Sequence, residues 1–284
     1  MTDPLVTTAW LASQFGDPTL RVVDGSFRMP GVQPTAAEDH AAAHLPGAVF
    51  FDIDAIADRA SPLPHMLPAP DDFARAVAAL GIGNDDLVVV YDAGNYMGAP
   101  RVWWTFRVFG HRNVRVLDGG LKKWRAEGRP LETGRVTPRP ARFAAAFEPA
   151  RVRDKAALVA NLATCAEQIV DARARERFEG TAAEPWPGRR PGRIPQSRNV
   201  PFGAVFDAAS GVFKPADELA RIFAAAGVDL ARPLVTSCGS GVTAATLTLA
   251  LARLGVDATA LYDGSWAEWG LPDGPPITSG VNGP

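Results

Sequence analysis

The sequence predicts an α/β protein of two tandem domains, each a small parallel sheet flanked by helices. Three observations carry that expectation. Short apolar runs of strand length, such as Leu87–Tyr91 and Pro233–Ser237, alternate with stretches whose apolar residues fall at helical spacing. Four landmarks recur in the same order at an offset of about 145 residues, which marks an internal duplication. Between the copies, Gly134 to Pro149 is rich in Pro, Arg and Ala, lacks clean periodicity and reads as a linker. The 284 residues suffice for two domains. They divide into a first domain at 1–135, a linker at 136–155 and a second domain at 156–284.

The elements follow in pairs. Leu20–Ser26 in the first half resembles Gln168–Arg173 in the second, each an apolar strand ending in an aspartate. Next come His44-Leu45-Pro46-Gly47-Ala48-Val49-Phe50 and Arg193–Pro201, each a Leu/Ile-Pro turn feeding a further strand. Leu87–Asp92 then matches Pro233–Cys238, a strand running into a glycine-bearing turn and a helix. The helix after the second of these spans Val242 to Leu254 and stops at Gly255. Last, Val116–Gly120 with Trp124 matches Leu261–Ser265 with Trp269. The first copy of the strand–turn–helix ends its strand at Tyr91-Asp92 and carries no cysteine, so a nucleophile is expected in the second domain alone.

Chemistry concentrates at Cys238-Gly239-Ser240-Gly241-Val242-Thr243-Ala244. A thiol sits there on a tight turn between a buried strand and a helix N-terminus. Backbone N–H groups and the helix dipole favour negative charge at such a place, and so favour the nucleophilic thiolate. A cysteine that merely filled core space would not need two glycines around a hydroxyl. Other uses of the turn fit poorly. Gly239-x-Gly241-x-x-Ala244 matches a relaxed dinucleotide fingerprint with Asp263 downstream, but too little chain follows for that domain. A Cys-x5-Arg phosphatase loop would put arginine where Ala244 stands, and a P-loop would put lysine at Val242.

Composition narrows the classes further. A formal charge of −2 leaves no electrostatic footprint for nucleic acid or an anionic membrane surface. No apolar run reaches the length of a membrane span, and Met1–Leu5 opens without the pattern of a secretory signal. Cys165 and Cys238, the two cysteines, form neither a disulfide framework nor a metal cluster, so a reducing cytoplasm is the expected home.

The chain resembles the two-domain sulfurtransferases, the rhodanese-like family. The resemblance rests on the Cys238–Ala244 loop together with Phe51-Asp52-Ile53-Asp54, Ser61-Pro62, His65-Met66-Leu67-Pro68, Ala99–Trp104, Asp118-Gly119-Gly120 and Tyr262–Trp266. Within the family the loop is similar to that of the 3-mercaptopyruvate enzymes. Thiosulfate enzymes carry two basic residues directly after the cysteine, where this chain has Gly239 and Ser240. The resemblance implies a persulfide on Cys238, held by the N–H groups of Gly239, Gly241, Val242 and Thr243. It implies a small sulfur donor, 3-mercaptopyruvate or in the alternative thiosulfate, and as acceptor cyanide or a thiol such as that of a small redox protein. A persulfide carrier without rapid turnover is the reading from another class. No cofactor and no metal are implied. A proton-handling set falls on Ser240, His65 and Asp54, with Asp54 and His65 drawn from the first domain. Read from the residues alone, Asp54 equally suits the N-cap of a helix through Ala55-Ile56-Ala57.

Donor binding falls on Arg177, whose planar fork suits a carboxylate. The family carries a second arginine in a Glu-Pro-Arg segment, and here Glu184-Pro185-Trp186 replaces it. Arg189 and Arg190, a few residues on, are the candidates to restore that charge. Remaining features read as structural. His40 and His44 have the i, i+4 spacing of helix-borne metal ligands but lack a third partner. Trp103, Trp104, Trp124, Trp266 and Trp269 are expected in the core, and Cys165 is expected as an inert apolar filler.

Overall fold

A computed structural model describes residues 3–280 and divides the chain into two compact units. Met1, Thr2 and residues 281–284, at the outer edges of the two expected domains, lie outside the described residues. The first unit takes the chain up to Arg59, Leu67–Glu148 and Phe206–Phe213. The second takes Ala60–Met66, Pro149–Val205 and the chain from Lys214 onward.

In the first unit the order is β1 (Leu5–Val6), α1 (Thr8–Gln14), β2 (Leu20–Asp24), α2 (Ala36–Ala42), β3 (Val49–Phe50), α3 (Pro70–Ala79), β4 (Leu87–Tyr91), α4 (Ala99–Val108), β5 (Val114–Leu117) and α5 (Gly120–Ala126). The second repeats it with β6 (Val152–Arg153), α6 (Lys155–Thr164), β7 (Gln168–Asp171), α7 (Arg175–Glu179), β8 (Arg198–Asn199), α8 (Ala216–Ala225), β9 (Leu234–Ser237), α9 (Ala244–Arg253), β10 (Ala260–Tyr262) and α10 (Ser265–Trp269). Both sheets are five-stranded and parallel, in the equivalent orders β1-β5-β4-β2-β3 and β6-β10-β9-β7-β8. The duplicated α/β design expected from the sequence is therefore the observed one.

Burial explains why these runs became these elements. A parallel sheet with helices on both faces has no wet side, so its central strands are continuously apolar; Val88, Val89 and Val90 are fully buried. Helices α3 and α8 each bury one stripe, Phe73 and Val77 in the first and the corresponding Leu219 and Phe223 in the second. By contrast α4 and α9 are buried nearly all round. The five tryptophans expected in the core are all there. Helix α9 starts two residues later than expected, at Ala244, and Gly255 closes it in the left-handed conformation.

The register fixes a correspondence that matters below. Asp24 pairs Tyr91 as Asp171 pairs Ser237, and the carbonyls of Tyr91 and Ser237 accept from Gly25 and Ala172 respectively. Asp92 and Cys238, each the next residue, therefore hold equivalent places.

Two segments differ from the sequence expectation. The chain from Gly134 to Glu148 forms no helix or strand, yet it is pinned within the first unit. Ala141, Ala146 and Glu148 donate to the carbonyls of Ala78, Phe109 and Val108, and Phe143 packs against Phe73 and Phe106. The second sheet starts at Val152, inside the stretch expected as linker. Periodicity does not register irregular backbone that is hydrogen-bonded to a neighbouring element. The loop carrying His65 was expected in the first domain, and residues 60–66 group with the second unit.

Candidate active site

Cys238 lies at the C-terminal end of β9, where loops of parallel sheets gather ligands. Its thiol is buried at 1% exposure, and the loop through Val242 is buried with it. The chain turns at Gly241, whose φ of 79° is costly for any residue with a side chain. The loop's acceptors are committed to α10: the carbonyls of Cys238 and Gly239 take the N–H groups of Trp266 and Ala267 at 2.9 and 2.7 Å. The Cys238 N–H donates to Ser265 Oγ at 3.1 Å, and that hydroxyl donates onward to the Tyr262 carbonyl at 2.8 Å. Ser265 holds a left-handed φ of 47°, at the place where the first unit has Gly120. Sequence reasoning missed this brace; the signal available was a serine breaking the glycine match between Asp118-Gly119-Gly120 and Asp263-Gly264-Ser265.

The positive side of the site comes from α7 and the loop after it. An arginine guanidinium, that of Arg177, lies so close to Gly239 that a Cβ there would stand 2.8 Å from Nη2. Arg177 is itself held by Glu184, with Oε2 2.5 Å from Nη2 and 3.2 Å from Nε. The other Glu184 oxygen accepts from Arg173 at 2.8 Å. Arg173 is wholly buried, paired with Asp171 and stacked 4.2 Å over the Trp266 ring. Burial works against its charge, and Asp171 with Glu184 more than offsets that, so its affinity for the proton rises. Neither Arg173 nor Glu184 was singled out in the sequence, because alternating charges along a loop do not say which of them meet.

The other expected residues are placed as follows. Ser240 is two residues along the same buried loop, at 8% exposure. His65 is buried at a left-handed φ of 60°, and its ring meets the Trp186 ring edge-on at 5.9 Å. Thr243 immediately precedes α9 and makes no side-chain cap bond. Arg189 donates to the carbonyls of Ala267 and Pro187, and Arg190 to those of Trp269 and Pro275. Those bonds fasten the loop to the segment around α10. Asp54 is exposed in the first unit and caps no helix. The cap belongs to Asp52, whose carboxylate accepts from Asp54 and Ala55 and starts a turn.

The first unit shows what this turn can hold. Asp92, at the place of Cys238, accepts N–H bonds from Gly94 at 2.8 Å, Ala99 at 3.1 Å and Gly98 at 3.3 Å. Its carbonyl takes the Leu121 N–H as that of Cys238 takes the Trp266 N–H. The turn between strand and helix is thus an anion cradle, and the first unit fills its own with a carboxylate. That loop is one residue longer, since α4 starts at Ala99 and α9 at Ala244.

The features read as structural are placed as follows. His40 bonds Asp24 at 2.9 Å, His44 bonds the His40 carbonyl at 2.8 Å, and the two rings stack. Among the described residues no group of three metal-ligating side chains occurs. Cys165, expected as a buried filler, is instead exposed; it caps α6 in a left-handed conformation, with Sγ 2.8 Å from Gln196 Oε1. A helix end supplies no apolar pocket, so the small apolar character of the residue was misleading there.

Comparison with known proteins matches the duplicated architecture. The model of the rhodanese-like domain matches residues 7–127 and again 154–271. The 3-mercaptopyruvate sulfurtransferase of Escherichia coli K12 is 45% identical over 263 residues, covering 92% of each chain. The thiosulfate sulfurtransferase of Cricetulus griseus is 43% identical over 272 residues, covering 93% of this chain and 91% of that one. Among solved structures, SseA from Escherichia coli, described as a 3-mercaptopyruvate sulfotransferase with the rhodanese fold, aligns with a TM-score of 0.86. It is 41% identical, over 93% of this chain and 99% of that one. Among the described residues no helix is long and apolar enough to cross a membrane.

Proposed function

The chain belongs to the rhodanese-like family, and from that premise we propose a sulfurtransferase that takes sulfur from 3-mercaptopyruvate onto Cys238 and passes it to a thiol or cyanide. The Cys238 thiolate attacks the donor sulfur. As the Sγ–S bond forms, the C3–S bond breaks and its electron pair stays on C3 as the enolate of pyruvate. Protonation of C3 completes release, and Ser240 with His65 are the groups we assign to moving that proton. The resemblance adds Asp54 to the set. The outer sulfur of the persulfide then accepts N–H bonds from the loop between Gly239 and Thr243, as Asp92 accepts them in the first unit. An incoming thiolate or cyanide takes that sulfur and frees Cys238 in a ping-pong cycle. Cytoplasmic thiols suit both the acceptor role and the reduced state of Cys165 and Cys238.

One observation carries the choice of donor: the cation that lies against Gly239 of the loop is Arg177, and Glu184 already shares its charge. A guanidinium half-neutralised in this way suits the single carboxylate of 3-mercaptopyruvate better than the dianion thiosulfate. Global identity does not separate the two donors, since relatives named for each stand at 45% and 43%. The test is a paired assay of pyruvate release from 3-mercaptopyruvate and sulfite release from thiosulfate. We expect kcat/KM for 3-mercaptopyruvate to exceed that for thiosulfate by at least about tenfold. The reverse preference overturns the donor, and inactivity with both favours a persulfide carrier.

A further inference from the structure

We propose that Glu184 is a positioning residue for donor binding, acting through Arg177, which it holds in the space that a side chain at position 239 would occupy. The inference rests on the reading of Arg177 as the donor's grip. Its basis is the line Asp171–Arg173–Glu184–Arg177, in which charges alternate and every inner member is buried. The Glu184 side chain is 2% exposed, and a carboxylate so placed must be paired. Arg173 cannot shift to release it. Its guanidinium is fixed by Asp171 at 2.7 and 3.0 Å, by the Gly192 carbonyl at 2.9 Å and by the face of Trp266. Glu184 therefore stands on a rigid base, and its second oxygen holds the Nε–Nη2 edge of Arg177.

Arg177 differs from Arg173 in being 24% exposed, so it is anchored along one edge and open elsewhere. Gly239 completes the arrangement from the loop side, since any Cβ there would meet Nη2 at 2.8 Å. A long side chain otherwise loses rotamer freedom when it grips a ligand, and anchoring it beforehand removes that cost from binding. Glu184 does not grip the donor itself, because a buried carboxylate repels a carboxylate. Its influence passes through Arg177.

The test is steady-state pyruvate release by the wild type, E184Q, R177A and the double variant. The amide keeps the shape but offers one oxygen to two guanidiniums, so one bridge is lost. We expect E184Q to raise KM for 3-mercaptopyruvate about tenfold while kcat stays within about twofold. In the R177A background E184Q should change KM no further. An unchanged KM in E184Q, or effects that add in the double variant, overturns the proposal. So does a fall in KM, which would mean that Glu184 only weakens anion binding by its charge. Should E184Q not fold, Glu184→Asp keeps the charge that Arg173 needs but draws Arg177 back, and its KM is read in the same way. A wild type that releases no pyruvate refutes the donor reading instead, so the two failures are distinguishable.

Discussion

Asp92 and Cys238 occupy equivalent positions, and on the proposed function the difference between them separates a structural unit from a reactive one. Both end a central strand, and both carbonyls accept an N–H from the helix after the neighbouring strand. The carboxylate of Asp92 reaches back to the N–H groups of its own turn and closes the cradle. Cys238 puts a shorter thiol in that place, and on the proposed mechanism the sulfur added to it takes up N–H groups of its turn. Asp92→Ala should then strand four buried N–H groups at once, those of Gly94, Tyr96, Gly98 and Ala99. Each net bond to a charged acceptor contributes about 1.5 kcal/mol or more, so urea unfolding should show a loss of about 3 kcal/mol or more. Asp92→Asn, which keeps one acceptor oxygen, should lose less. A loss under about 1 kcal/mol in the alanine variant would mean that water replaces the carboxylate and that the cradle does not require an anion.

At the scale of elements, the segment after α5 shows where pattern reading stops. Composition marked Gly134 to Pro149 as a linker without clean periodicity, and residues 134–148 form no helix or strand. The segment is nonetheless packed, because Phe143 enters an aromatic cluster with Phe73, Phe106 and His111. His111, just past α4, is buried there, and burial lowers its affinity for the proton while Asp86 partly opposes the effect. The sign follows directly. The unfolded chain takes up a proton near the ordinary histidine value of 6.5, and the folded chain does so only at lower pH. This group's contribution is therefore fully present above that value and is lost as pH falls below it, at no more than about 1.4 kcal/mol per pH unit. His111→Phe, which keeps the ring, should flatten the drop in unfolding free energy between pH 7.5 and 5.5 relative to the wild type. Identical slopes would show that His111 takes up its proton equally in both states.

Across the whole molecule, the duplication explains both what could be read from the chain and what could not. The paired strands and the strand–turn–helix that carries Cys238 are local in sequence, so the repeat and the Cys238–Ala244 spelling revealed them. Ser265, Arg173 and Glu184 act by tertiary contact, across 27 residues for the Ser265–Cys238 bond and through burial for the charge line, and no local pattern encodes that. The same duplication sets a stoichiometry. One turn is filled by Asp92 and the other carries Cys238, so on the proposed mechanism each chain should carry one transferable sulfur. Cys165 complicates the count, because it is the exposed thiol of the two and carries no loop of its own. Exposure alone would favour it in any reaction governed by access, whereas on the proposed mechanism persulfide formation by turnover uses the N–H groups of the Cys238 loop. With 3-mercaptopyruvate in excess and no acceptor, intact mass should therefore rise by about 32 Da, one sulfur, in the wild type and equally in Cys165→Ser. Cys238→Ser should gain none. A second sulfur on the wild type, or persistence of the gain in Cys238→Ser, would show that the cradle does not decide which cysteine reacts.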